Sequence, residues 1–297
     1  MSLTYGFIGS TEVSKEILNQ IDIDPEIVVS FSEEHRHRIS GFATYPEYGD
    51  KWIQVDSIND EEARTALRNC ELDIILVMAW QELLDDDILD IPEKGCVGRH
   101  LSLLPKRRGR APVAWSLLHG LEETGVTLFW LDKGVDTGDI ISQQSVQIDH
   151  DDEAHDLHDK LTDTTVDLLG NVLGTFESGI FPRTPQNDSK ATYTHPRRPD
   201  MGLIDWEKSV SRLYDFIRAQ THPYPGAFTY HSMDKITVWH AAIDHRTATR
   251  GQPGEILADR GDDAWVVQAG TGILEIEVEN DGGNYPIKIG KTLGCLP

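Results

Sequence analysis

The sequence predicts a doubly wound, mostly parallel α/β sheet, followed by a smaller β-rich domain. Three observations carry this expectation. Short β-branched runs alternate with helix-periodic segments through the first half, as in a parallel sheet covered by helices. The proline-rich stretch FPRTPQNDSKATYTHPRRPD then interrupts all periodicity. Beyond it, brief alternating strands separated by Gly and Asp suggest a small antiparallel barrel or sandwich.

Taken in order, GFIG (Gly6 to Gly9) is a buried strand leading through Ser10 and Thr11, both capping residues, into the helix VSKEILNQI. IVVS (Ile27 to Ser30) and IILVM (Ile74 to Met78) are further strands, with the helical pattern ARTALRNC before the second. CVGRH follows, then a Pro112-initiated helix VAWSLLH stopped by Gly120, and the strands GVTLFWL and DIISQQSVQI. Apolar residues at helical spacing, from Ala154 through Leu161 and Leu169 to Phe176, mark a long amphipathic helix from about Asp151. After the proline-rich stretch, WEKSVSRLYDFIRAQ is a helix, and ITVWHAA, GEILADR, AWVVQAG, ILEIEVEN and YPIKIG are strands. The expected division is a catalytic domain over 1–181, a linker over 182–202 and a C-terminal domain over 203–297.

Composition narrows the function classes. The 297 residues include 39% hydrophobic and 8% aromatic side chains, enough to build cores and to argue against global disorder. Cys70, Cys96 and Cys295 form no CxxC pair, which argues against a disulfide framework or a structural zinc site. No signal-peptide pattern or spanning-length apolar run is visible, so the chain reads as soluble and cytoplasmic. Against 27 Lys and Arg stand 50 Asp and Glu, a net charge of −23, which repels polyanions and makes nucleic acid a poor default partner. The same excess fits solubility or life in high salt. No GxGxxG or P-loop occurs, so neither a nicotinamide cofactor nor ATP is indicated. His155 and His158 stand at i,i+3 beside Asp156 and Asp159, and His35 and His37 in a polar loop; all read as solvated residues and no metal is expected.

The chemical signal is concentrated between Gly95 and Gln143. His100 ends a strand, and ligands of doubly wound sheets bind at the carboxyl ends of strands. A basic cluster (Lys106, Arg107, Arg108, Arg110) reads either as a solvated turn or as an anion site. Asp136 is a glycine-flanked carboxylate in VDTGD. Trp80 and Trp115 could stack on an aromatic ring, although core filling is the commoner role.

The string HLSLLPKRRGRAP…W…G…ETGVTL…L…GVDTGDI…Q resembles the signature of the 10-formyltetrahydrofolate-dependent formyltransferases. That group includes the glycinamide ribonucleotide, methionyl-tRNA and sugar-nucleotide enzymes. The likeness continues through IDWEKSVSRLYDFIRAQTHPYPGAFTY, KITVW and QPGEIL, which resemble the second domain of the methionyl-tRNA and UDP-4-amino-4-deoxy-L-arabinose formyltransferases. PYPGAF is nearer the sugar type. The resemblance implies a Rossmann-like catalytic domain, an OB-like C-terminal barrel and 10-formyltetrahydrofolate as co-substrate. It implies a catalytic trio of Asn, His and Asp, of which His maps onto His100 and Asp onto Asp136. The position of the Asn is Gly98, and Arg99 or a backbone N–H is the expected substitute for the missing amide. For the folate it points to Leu83, Leu84, Asp132 and Val135, largely through backbone groups, and to Arg110.

The resemblance leaves the amine open. A tRNA enzyme should offer a basic second domain, whereas Leu203 to Pro297 holds nine Lys and Arg against 13 Asp and Glu. The expected acceptor is therefore a small primary amine such as an amino-sugar nucleotide, with methionyl-tRNA as the alternative. A non-catalytic or hydrolytic protein of the same fold is a further alternative, and homodimerisation is left open.

Overall fold

The computed structural model describes residues 3–231, 234–245, 250–261, 263–279 and 289–294. The elements run β1 (Tyr5–Ile8), α1 (Glu12–Gln20), β2 (Ile27–Phe31), β3 (Trp52–Val55), α2 (Glu61–Arg68), β4 (Ile74–Val77), α3 (Asp86–Leu89), β5 (Gly95–His100) and β6 (Arg108–Gly109). They continue with α4 (Pro112–Leu118), β7 (Glu123–Trp130), β8 (Ile140–Gln147), α5 (Ala154–Glu177), β9 (Tyr193–Thr194), α6 (Val210–Arg218) and β10 (Ala227–His231). The last strands are β11 (Asp234–Asp244), β12 (Ile256–Gly261), β13 (Ala264–Gln268) and β14 (Ile273–Glu279). The chain divides into two compact units that interleave along the sequence: 1–109, 124–147 and 159–194 form one, and 110–123, 148–158 and 195–297 the other. Residues 182–194 thus go with the first unit and 195–202 with the second.

The first unit is built on a seven-stranded sheet of order β3-β2-β1-β4-β5-β7-β8. β3, β2, β1, β4 and β5 are parallel and β7 is antiparallel to β5. The strand order reverses direction between β1 and β4, which makes the carboxyl ends of these central strands the natural ligand crevice. Central strands are buried on both faces, so β1, β2 and β4 read as continuous apolar runs and not as alternating ones. Ile8, Val29, Ile75, Val77 and Cys96 share one core cluster with Leu67 of α2. α1 begins with a capping box: the Thr11 hydroxyl accepts from the Ser14 N–H, and the Ser14 hydroxyl accepts from the Thr11 N–H. Ser14 also meets the buried Tyr45 hydroxyl at 2.8 Å.

In the second unit the antiparallel sheet has the order β10-β11-β14-β13-β12. Trp206, Leu213 and Ile217 form its core with Val238, Trp265 and Leu274. The Trp206 indole N–H donates to Thr229 Oγ1 at 3.0 Å, so a large ring is buried without an orphan donor. α4 starts at Pro112, where a missing N–H costs nothing, and the following Gly120 takes φ +62°. Sequence periodicity did not separate β3 and β10 from their surroundings. The expected strand YPIKIG lies outside the described residues up to Lys288, as does Cys295; Cys70 and Cys96 are free thiols. Among the described residues no helix is long and apolar enough to cross a membrane.

The capping box gives a direct test of local stability. Thr11→Ala should cost about 1 kcal/mol, seen as a lower urea midpoint at unchanged m-value.

Candidate active site

Strand β5 delivers the central residue. Successive side chains point to opposite faces, so Cys96, Gly98 and His100 share one face while Val97 and Arg99 take the other. In the register with β7, Gly98 stands opposite Phe129 and His100 opposite Thr127; on the β4 side Gly98 pairs with Val77. His100 is buried, with Nε2 2.7 Å from the carbonyl oxygen of Arg107. A carbonyl only accepts, so that contact places a proton on Nε2. Nδ1 lies 3.5 Å from Asp136 Oδ2. The structure therefore brings His100 and Asp136 together, and both ring nitrogens face protein oxygens.

Asp136 is held by its backbone as well as by its carboxylate. Its φ is +55°, and Oδ2 accepts the Gly109 N–H at 2.7 Å. Gly109 itself has φ +103°, and a Cβ there would lie 2.5 Å from the carbonyl oxygen of Thr194. Only glycine can bring that N–H to the carboxylate. Arg107 (φ +58°) and Ala79 (φ +49°) are likewise left-handed, so three non-glycine residues of this region occupy sparsely populated backbone conformations.

The basic cluster is not a uniform anion site. Arg108 is 1% exposed and its guanidinium is spent internally: on Gln186 Oε1 from Nε (3.1 Å) and Nη2 (2.8 Å), on Tyr193 Oη (3.1 Å) and on Asp188 Oδ1 (2.8 Å). Gln186 in turn donates to the carbonyls of Asp136 (2.9 Å) and Gly138 (2.7 Å). The Arg107 N–H donates to Thr192 Oγ1, and β6 pairs with β9 through Arg108 and Tyr193. The loop that faces His100 and the loop that carries Asp136 are thus tied to one buried cation. Lys106 is exposed, and Arg110 belongs to the second unit.

Beside Gly98 opens a cavity of about 160 Å³ at the carboxyl ends of β4 and β5. Leu83, Leu84 and Asp132 line it, as do Trp80, Leu131 and Asp136. Val135 lies in the same Asp132–Asp136 loop, 43% exposed, but is not part of the lining. Asn59 pins the far wall, donating to the Leu83 carbonyl and accepting from the Asp85 N–H. Trp80 stacks on Phe31 with ring centroids 3.9 Å apart, and its indole nitrogen is buried without a partner. The cleft mixes apolar walls (Val77, Leu84, Leu89, Phe129, Leu131) with the charged Glu82, Asp132, Lys133 and Asp136, so it offers both ring-packing surface and polar partners to a ligand. Trp115, by contrast, donates to the His195 carbonyl in the second unit.

Gly98 is not at positive φ; a Cβ there would come within 2.5 Å of Leu131 Cδ2, so glycine answers crowding rather than backbone conformation. Arg99 does not stand in for an amide either. It contributes to the cavity lining, but its side chain leaves on the opposite strand face, donates to Thr165 Oγ1 of α5 at 3.2 Å, and burial pushes its guanidinium down to about 10. Of the four histidines expected to be solvated, His37 and His155 are exposed, whereas His158 Nε2 meets the Tyr224 hydroxyl at 2.9 Å and His35 stacks on Phe31. Among the described residues no three His, Cys, Asp or Glu converge as metal ligands.

The sequence matches the formyl transferase family over residues 20–173 and the formyl transferase C-terminal domain over 197–293. The chain belongs to the formyl transferase family. This formyltransferase is 35% identical, over 79% of its length and 75% of the relative's, to a methionyl-tRNA formyltransferase of Caldanaerobacter subterraneus subsp. tengcongensis. A methionyl-tRNA formyltransferase of Moorella thermoacetica is 34% identical over 82% of this chain and 81% of its own. The fold is shared with the N-formyltransferase of Helicobacter canadensis, solved with folinic acid and dTDP-3-aminofucose, at a TM-score of 0.60 and 16% identity over 93% of this chain and 98% of that one. The formyltransferase is accordingly a formyl-transferring enzyme, and its family uses formyl-tetrahydrofolate.

Two substitutions test the site's construction. Gly98→Asn should destabilise the enzyme by about 1–3 kcal/mol through overpacking against Leu131, and adding Leu131→Ala should recover most of that loss in thermal denaturation. Gln186→Leu keeps the volume but strips Arg108 of an acceptor and two loop carbonyls of their donor. It should cost about 2–4 kcal/mol and lower kcat together with stability.

Proposed function

We propose that this formyltransferase moves the formyl group of 10-formyltetrahydrofolate onto a primary amine, with His100 and Asp136 as the reacting pair. The observation that carries this reading is the pairing itself: a buried histidine whose Nδ1 faces a carboxylate locked in place by Gly109, beside a cleft at the carboxyl ends of β4 and β5. Formyl folate supplies a formyl carbon attached to a nitrogen able to leave. The His100 Nε2 proton is suited to stabilise charge on the formyl oxygen, once that nitrogen exchanges the Arg107 carbonyl for substrate. Asp136, 3.5 Å from Nδ1, orients the ring. Trp80, Leu83, Leu84 and Asp132 would hold the folate ring and exclude water from the cleft. Val135 would cover its rim.

For the acceptor, the curated relatives support methionyl-tRNA better than the amino-sugar nucleotide expected from charge. A specific observation keeps the small amine as a second reading: net charge −23, with an acidic balance in residues 203–297 as well.

The test is formyl transfer from 10-formyltetrahydrofolate, followed by chromatography, with methionyl-tRNA and an amino-sugar nucleotide as parallel acceptors. The wild-type enzyme should formylate one of them, and His100→Asn should lower kcat by roughly 10²–10³. A folate ligand at 100 times Kd should stabilise the fold by about 2.7 kcal/mol. Absence of any thermal shift at saturating folate would remove the assignment of the cleft, and an unaffected His100→Asn would remove the assignment of the histidine.

A further inference from the structure

The proton that formyl transfer asks of His100 is already engaged. Nε2 gives it to the Arg107 carbonyl at 2.7 Å, at the short end of the N–H···O range, and the ring is buried. That carbonyl is the last of four in a row that each receive a donor from within the first unit. The Gln143 side-chain amide donates to the Leu104 carbonyl (2.8 Å), the Thr192 N–H to that of Pro105 (3.3 Å) and the Ser102 hydroxyl to that of Lys106 (2.7 Å). The first three donors only shape the loop. The fourth is the side chain assigned to chemistry.

Residue 107 does not adopt this position unaided. Its φ of +58° is the left-handed conformation, which a non-glycine residue occupies only when its surroundings impose it. The side chain supplies little anchorage, since Arg107 Nε is buried without a partner. Thr192 supplies it instead. Its hydroxyl accepts the Arg107 N–H at 2.8 Å, and its carbonyl accepts the Arg108 N–H at 2.9 Å. Thr192 thus grips the peptide groups on both sides of residue 107. Asp136 takes its own hold from the Gly109 N–H, which lies outside those two peptide groups. The orienting carboxylate and the competing carbonyl are therefore held by different bonds.

We propose that the Arg107 carbonyl is an autoinhibitory latch on His100, and that Thr192 is the positioning residue whose hydroxyl sets how often the latch opens. The proposal rests on His100 being the donor in formyl transfer. Only molecules in which residue 107 has turned away present Nε2–H to the formyl oxygen, so the opening equilibrium multiplies the rate.

Two readouts on the intact chain test it. The first is solvent exchange of the His100 Nε2 proton by NMR without substrate, the resonance being assigned by its loss in His100→Asn. The second is kcat for transfer from 10-formyltetrahydrofolate. Thr192→Val removes the hydroxyl at nearly constant shape and should speed exchange and raise kcat, each by roughly fivefold, the factor one net hydrogen bond is worth. Thr192→Ser keeps the hydroxyl and should restore wild-type behaviour in both. Since Thr192→Val also frees a loop anchor, substitutions at residue 107 give an independent pair. Arg107→Gly adopts positive φ at no steric cost, so it should hold the latch shut and lower kcat. Arg107→Val resists positive φ and should act like Thr192→Val. The proposal is overturned if the wild-type proton is unprotected, or if folded Thr192→Val and Arg107→Val match wild type in both readouts. It is equally overturned if faster exchange comes with a lower kcat, since the carbonyl would then be a brace. A wild type that transfers no formyl group removes the reading beneath the proposal, whereas an active wild type with insensitive variants removes the latch alone.

Discussion

The burial of one guanidinium organises the first unit. Arg108 is almost wholly removed from water, and a buried cation of that kind is tolerable only if its donors are satisfied. Its acceptors come from Gln186, Asp188 and Tyr193, some eighty residues along the chain. Satisfying it fixes the backbone of residues 107–109, and with it the carbonyl that meets His100 and the amide that meets Asp136. Gln186 completes the circuit by gripping the carbonyls on either side of Thr137. The geometry of the reacting pair is thus set less by the two residues themselves than by an electrostatic obligation next door.

That division explains what could and could not be read from the chain. Alternation of β-branched and helical segments exposed β1, β2, β4, β5, β7 and β8, because strands in the middle of a parallel sheet are apolar on both faces. The tetrapeptide of β3 follows a 3₁₀ turn and is only half buried, and β10 sits within a turn-rich segment; neither carries a distinctive period. His100 and Asp136 were visible through the motif around them. Arg108 was not distinguishable from Lys106 or Arg107, since sequence does not say which member of a basic run is buried. Gln186 lay in a stretch without periodicity and offered no local signal at all. The departure at Gly98 was visible, but its cause, Leu131 filling the space of a side chain, becomes apparent only across the strand.

A second pattern concerns charge. Several cations of this acidic chain sit in exposed pairs such as Lys51 with Asp24, Arg36 with Glu33 and Lys208 with Asp205, each contributing little to stability. Arg99, Arg107 and Arg197 are different, for each is pushed down by burial and none pairs with a carboxylate. Arg99 is held by the Thr165 hydroxyl, and Arg197 by the Met201 carbonyl, the Gln220 amide and the Trp115 ring. High salt screens the first class strongly and the second weakly.

The distance in sequence between His100 and its support has a consequence for how the protein comes into being. By residue 181 a nascent chain has supplied every strand of the seven-stranded sheet, which can then fold as a hydrophobic body. The segment from Gln186 to Thr194 has not yet emerged, so Arg108 lacks its acceptors and the backbone at Gly109 has no strand to pair with. During synthesis the sheet thus precedes the pocket of the histidine. Until that segment joins, the Arg108 guanidinium is solvated by water, and the backbone that meets His100 and Asp136 is without its support.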